Sequence, residues 1–161
     1  MVITNHDILV WLEEVKDPEI PVLSLIDLGV IRNVDIQDTK VKVTMTPTFS
    51  GCPAIDMMKQ DIVDILRSHG IEDCEVVVNF KDPWNSDMIS EKGRQAIKKF
   101  GIAPPPSNGL VLDLDVLENI NCPHCDSEDT LMKTPFGPTL CRSIHYCNNC
   151  QQAFEQFKPL Q

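Results

Sequence analysis

Thr46-Pro47-Thr48-Phe49-Ser50-Gly51-Cys52-Pro53-Ala54 joins two segments of different periodicity. Before it, Val41, Val43 and Met45 alternate with Lys40, Lys42 and Thr44, the period of a half-buried strand. After it, Ile55, Met58, Ile62, Ile65 and Leu66 recur at offsets of 0, 3, 7, 10 and 11. That is the apolar stripe of a helix, which runs to His69 and closes on Gly70. Pro53 suits the first helical position, where a missing N–H costs nothing. The junction therefore puts Cys52 at or beside a helix N-cap, facing unpaired N–H groups and the positive end of the helix dipole. A thiol so placed is expected to have a lowered pKa and to bind metal or attack an electrophile. Gly51 clears space beside the sulfur and permits a sharp turn. A plainer reading also fits: Cys52 as a small apolar residue closing the corner.

Toward the N-terminus, Val30–Ile36 reads as a strand that Gln37-Asp38-Thr39 turns back antiparallel onto 40–45. Thr4 and Asp7 have capping-box spacing ahead of a helix carrying Ile8, Trp11, Leu12 and Val15, and Pro18 ends that pattern. Asp17-Pro18-Glu19-Ile20-Pro21 is a rigid extended segment with two carboxylates, followed by Asp27-Leu28-Gly29. Toward the C-terminus, Cys74–Phe80 is apolar enough to be a central strand, and a third helix is expected from about Met88 to Phe100. The fold class is α+β: a small α-β-β-α-β-α domain over residues 1–103.

Ala103-Pro104-Pro105-Pro106-Ser107-Asn108-Gly109 is a proline-stiffened linker by composition, and Leu110–Val116 alternates like a strand. Residues 104–121 are therefore read as linker and possible strand, and 122–161 as a zinc-ribbon-like metal-binding domain. Its signature is Cys122-Pro123-His124-Cys125 and Cys147-Asn148-Asn149-Cys150, two CxxC knuckles separated by 21 residues. Each knuckle presents two thiolates from one tight turn, and two knuckles complete a tetrahedral site for one metal, read as zinc ahead of an iron–sulfur cluster. So few apolar side chains need a metal to hold them. Cys141, His124 and His145 lie close in sequence and are alternative ligands. Cys141 reads either as a buried small residue or as a ligand to a transient cluster.

Bulk properties narrow the function. A net charge of −10 over 161 residues argues against nucleic acid and anionic membrane as main partners. No apolar run approaches the ~20 residues of a transmembrane helix, and residues 1–7 have no signal-peptide character. Seven cysteines without an export signal point to a reducing, cytoplasmic compartment. An enzyme with Cys52 as nucleophile needs a base, and none of His6, His69, His124 and His145 sits in a catalytic context. A zinc-ribbon nucleic-acid binder needs a basic stripe, which residues 122–161 lack.

Asp17-Pro18-Glu19-Ile20-Pro21, Asp27-Leu28-Gly29, Thr46-Pro47-Thr48 with Gly51-Cys52-Pro53, Trp84, Ile89-Ser90-Glu91-Lys92-Gly93 and the two knuckles resemble the PaaD family over nearly the whole chain. That family is an accessory component of the bacterial phenylacetyl-CoA epoxidase system. The first hundred residues also resemble the wider SufT-like group of iron–sulfur assembly factors. The resemblance implies a non-catalytic maturation factor for a phenylacetyl-CoA epoxidase, assisting iron or cluster insertion into its oxygenase or reductase components. A scaffold or interaction subunit without metal delivery is the alternative. It implies Cys52 as the thiolate for iron or a transient iron–sulfur cluster, with Asp17 and Glu19 as nearby carboxylates. Turn formation is their other role. The implied partners are the epoxidase proteins, above all the iron–sulfur reductase, with a homodimer as the assembly allowed for.

Overall fold

In the computed structural model, which describes residues 3–106 and 117–159, the Thr4 capping box is formed. Asp7 N donates to Thr4 Oγ1 at 3.3 Å and Thr4 N to the Asp7 carboxylate at 2.8 Å. Helix α1 (Asn5–Leu12) buries Ile8 and Leu12. The chain then folds through a loop stitched by Asp17 N to Leu23 O (2.8 Å) and Leu25 N to Val15 O (2.9 Å), and enters strand β1 (Ile31–Gln37).

Strand β1 pairs antiparallel with β2 (Lys40–Met45), Val34 opposite Val43 and Ile36 opposite Val41. Asp38 takes the left-handed conformation (φ 54°) that the tight turn requires. Along β2, Val41, Val43 and Met45 are buried, as the alternation predicts. Helix α2 (Ile55–Ser68) buries Met58, Ile62 and Leu66 and ends at Gly70, φ 88°. It is a crossover that returns the chain parallel to β2 as β3 (Asp73–Val78), Val43 opposite Val76.

Two expectations are corrected here. The sheet order is β1-β2-β3, so β2 is central and the valine-rich β3 an edge strand. Its Val76, Val77 and Val78 are only half-buried. An apolar run reports affinity for a pleated surface, not which edge of it the strand occupies. The N-cap of α2 is Ala54, with no side-chain cap, so Pro53 and Cys52 lie in the turn before the helix.

The chain divides into two units between Trp84 and Asn85. Trp84 closes the first, its indole N–H donating to Leu28 O at 2.9 Å in a buried contact. The second begins with a short 3₁₀ turn (Ser86–Met88) and helix α3 (Glu91–Lys99), capped by Ser90 Oγ accepting from Gly93 N. Strands β4 (Ile102–Ala103), β5 (Thr130–Thr134), β6 (Arg142–Cys147) and β7 (Ala153–Phe157) form a sheet of order β4-β7-β6-β5. Composition places the boundary at residue 103. The observed division falls earlier because Ile102 and Ala103 pair in parallel with Glu155 and Gln156, and Arg94 donates to Pro105 O. Pro104–Pro106 thus follow a strand of the second unit, and α3 belongs with it. The strand expected over Leu110–Val116, and residues 107–109 of the linker, lie outside the described residues.

Candidate functional site

The two knuckles are built alike. Cys122 N donates to Ser127 O and Asp126 N to Cys122 O, both at 2.9 Å. Cys147 N donates to Gln152 O and Gln151 N to Cys147 O, again at 2.9 Å. The residue four past each first cysteine, Asp126 or Gln151, is left-handed at φ 58° or 60°. Asn148 ties the knuckles together, its backbone N donating to Asp129 O and its amide to the Asp129 carboxylate.

This backbone brings the Sγ atoms of Cys122, Cys125, Cys147 and Cys150 within 4.8 Å of one another. Cys122 Sγ lies 3.7 Å from Cys150 Sγ, and Cys125 Sγ 3.6 Å from Cys147 Sγ. A disulfide needs about 2.05 Å. A tetrahedron with Zn–S near 2.3 Å has an S–S edge of about 3.8 Å, so the four sulfurs fit zinc. Cys122 and Cys147 are buried with Ala103, Ile120 and Phe154, whereas Cys125 is exposed. The Ser127 N–H and the Asn149 amide hold the Cys125 thiol down to about 6. Burial raises Cys122, and pushes Cys150 up to about 12.

The other candidate ligands stand apart from this cluster. Cys141 is buried, its sulfur 3.0 Å from Thr139 Oγ1. It immediately precedes β6, whose last residue is Cys147, and the five strand rises from Arg142 to Cys147 span about 17 Å. His145 is fully buried, its Nε2 2.8 Å from Ser143 Oγ and its ring stacked on Phe154, and burial lowers its pKa to about 4. His124 is exposed, with Cε1 3.3 Å from where a Cβ on Gly101 would stand.

In the first unit, three loops meet at one end of the sheet. Thr46 N, just past β2, donates to Val30 O, just before β1, and Asn79 N, just past β3, donates to Met45 O, each at 2.8 Å. Val30 N donates to Leu25 O and Leu25 N to Val15 O, so the Asp17 loop is stitched to the same end. Ligand sites of open α/β sheets lie there, outside the carboxyl ends of parallel strands. Cys52 is half-buried in the β2–α2 loop, with its N–H donating to Phe49 O at 3.2 Å. The Thr46 hydroxyl is buried without a hydrogen-bond partner among the described residues. Asp17 accepts from Glu19 N (2.9 Å) and Ile20 N (2.8 Å), so its carboxylate shapes the turn. Glu19 is exposed. Sequence reading noted Asp27 in Asp27-Leu28-Gly29 without a role and did not single out Ser24; the two cap each other (Ser24 Oγ to the Asp27 carboxylate 2.9 Å, Asp27 N to Ser24 Oγ 3.0 Å). Ser and Asp three apart was the available signal.

Residues 5–78 match the family model described as iron-sulfur cluster assembly protein, and residues 109–158 the PaaD zinc beta ribbon domain. An Escherichia coli K12 protein, named as a subunit of a "Putative 1,2-phenylacetyl-CoA epoxidase", is 33% identical over 153 residues, covering 95% of this chain and 92% of that protein. The chain belongs to the PaaD family. Other relatives match a shorter part of this chain. A protein of Porphyromonas gingivalis named Fe-S protein maturation auxiliary factor is 42% identical over 55% of this chain and 86% of its own. Two solved structures share the fold. The DUF59 domain of Bacillus anthracis has TM-score 0.54 and 26% identity, covering 57% of this chain and 89% of that one. A conserved hypothetical protein of Thermotoga maritima has TM-score 0.51 and 32% identity, covering 62% and 96%. This PaaD-family chain thus joins an iron–sulfur assembly domain to a four-cysteine ribbon. Among the described residues no helix is long and apolar enough to cross a membrane.

Proposed function

We propose that this chain is a non-catalytic accessory factor that assists insertion of iron or an iron–sulfur cluster into the oxygenase or reductase components of a phenylacetyl-CoA epoxidase. One observation carries the reading: Cys52 stands half-buried at the carboxyl end of the β2–β3 pair, where the Asp17, Asp27 and Asn79 loops are hydrogen-bonded together. A thiolate takes iron or a cluster as cargo, and carboxylates suit the same metal. The Asp17 carboxylate, accepting from Glu19 N and Ile20 N, shapes the loop stitched to the same end as Cys52. Glu19 is the more exposed partner, and the Thr46 hydroxyl is a further polar atom for cargo to satisfy.

A zinc ion in the ribbon, held by Cys122, Cys125, Cys147 and Cys150, supplies structure, since closed four-thiolate sites leave no position for chemistry. The names of the relatives support the assembly role and the epoxidase system as the setting. A reducing cytoplasm is the compartment in which such thiols stay available. The test is to produce the epoxidase components beside wild type or Cys52→Ser and to measure their iron. Cys52→Ser is expected to leave them short of iron while keeping its own zinc. Full loading beside Cys52→Ser would overturn the delivery role and leave a ribbon scaffold.

A further inference from the structure

Two large apolar side chains stand in water at the end of the sheet that carries Cys52. Met57, in the first turn of α2, and Phe80, just past β3, are each 57% exposed. The second has a local cause. Asn79 Oδ1 accepts from Lys81 N at 2.9 Å and Asn79 Nδ2 donates to the Asp82 carboxylate at 2.9 Å, a turn that leaves Phe80 outside. Phe49 belongs to the same end: its ring lies 3.3 Å from where a Cβ on Gly51 would stand, one residue from Cys52. Single exposed apolar residues are ordinary; Met57, Phe80 and Phe49 share the end of the sheet that carries a candidate thiol, where exposed apolar side chains suit a contact surface.

We propose that Met57, Phe80 and the half-buried Phe49 form the docking surface for the metal-accepting protein, and that this protein presents an apolar centre within a basic rim. The inference rests on the reading of Cys52 as the thiol that handles metal. Charge selects the occupant. Asp17, Glu19, Asp27, Asp56 and Asp82 belong to the segments at this end, against Lys16, Lys59 and Lys81, and the whole chain carries −10. An anionic membrane or a nucleic acid is repelled by such a surface, whereas a basic protein face is attracted and its encounter accelerated. Trp84 fixes one wall, because its bond to Leu28 O ties the Phe80 loop to the Asp27 loop before any partner arrives. A preformed surface loses little conformational freedom on binding.

The test measures binding of the full chain to the iron-free reductase component of the epoxidase. Wild-type binding is expected to weaken about tenfold between roughly 50 and 300 mM salt. Met57→Ser with Phe80→Ser is expected to weaken it about tenfold at fixed salt, as truncated central contacts do. Asp56→Lys with Asp82→Lys is expected to weaken it and flatten the salt dependence. Melting temperature and zinc content confirm that each variant is folded. Absence of wild-type binding, or wild-type affinity in both double variants, overturns the docking surface. Cys52→Ser separates this from the metal reading: it is expected to bind the reductase as wild type does and still fail to load it.

Discussion

Asp126 and Gln151 stand four residues past Cys122 and Cys147, and both adopt the left-handed backbone, φ 58° and 60°. Neither is glycine, so each knuckle closes at a steric cost of roughly 1 kcal/mol. Gln151→Gly should remove that cost and raise the melting temperature of the zinc-loaded second unit by several degrees. Asp126→Gly should gain less, because Asp126 pairs with Lys98 on α3, an exposed pair worth under about 1 kcal/mol. Calorimetry of the two variants checks the order; a loss on Gln151→Gly would show that its side chain supports the knuckle.

The thiols predict how zinc binding depends on pH. Without metal, Cys122 and Cys150 are raised and hold their protons at neutral pH, while Cys125, at about 6, is largely ionised. Zinc must displace the held protons, so affinity falls as pH falls. Below about 6 Cys125 also protonates and the fall steepens. Calorimetric titration in buffers of different ionisation enthalpy should report at least the two protons of Cys122 and Cys150 per zinc. A buffer-independent heat at neutral pH would contradict that proton count. Cys122→Ser or Cys150→Ser should release the metal and unfold the ribbon.

The first unit should fold without metal. Its apolar contacts run among α1, α2 and the three-stranded sheet, and Trp84 is its last buried residue. A chain ending at Trp84 should unfold cooperatively in urea. Trp84→Phe leaves the buried Leu28 carbonyl without its donor and should cost about 1–3 kcal/mol. Equal urea midpoints for this chain with and without Trp84→Phe would mean that solvent satisfies that carbonyl.

Local signals in the sequence were legible where neighbours decide the structure. The Thr4/Asp7 box, the alternation in 40–45, the stripe from Ile55 to Leu66 and the two CxxC knuckles act over a few residues, and each forms as read. What was not legible depends on distant pairing. Nothing near Ile102 announces that it will lie beside Glu155, so composition alone does not show that Ile102 and Ala103 pair with a strand of the ribbon sheet. Val76–Val78 read as a central strand because periodicity is blind to whether a second neighbour arrives. At the candidate thiol, Pro53 suggests a helix start two residues early, since proline also serves in the turn that precedes α2.

Asp17 offers a way to separate shaping a loop from handling metal. Its carboxylate accepts the N–H groups of Glu19 and Ile20, and an asparagine side chain retains one oxygen that can accept both. Asp17→Asn should therefore keep the turn and lose little stability, whereas Asp17→Ala should lose the turn and about 1–2 kcal/mol. If Asp17 only shapes the loop, the epoxidase components made beside Asp17→Asn will carry full iron, and only Asp17→Ala will be defective. If the carboxylate itself faces cargo, both variants will be defective, because a neutral amide is a poor partner for iron. The proposed function expects the second outcome, with Glu19→Gln giving a weaker defect of the same kind. Full iron beside Asp17→Asn, together with an iron deficit beside Cys52→Ser, would leave the thiol in the transfer role and reduce Asp17 to a turn residue.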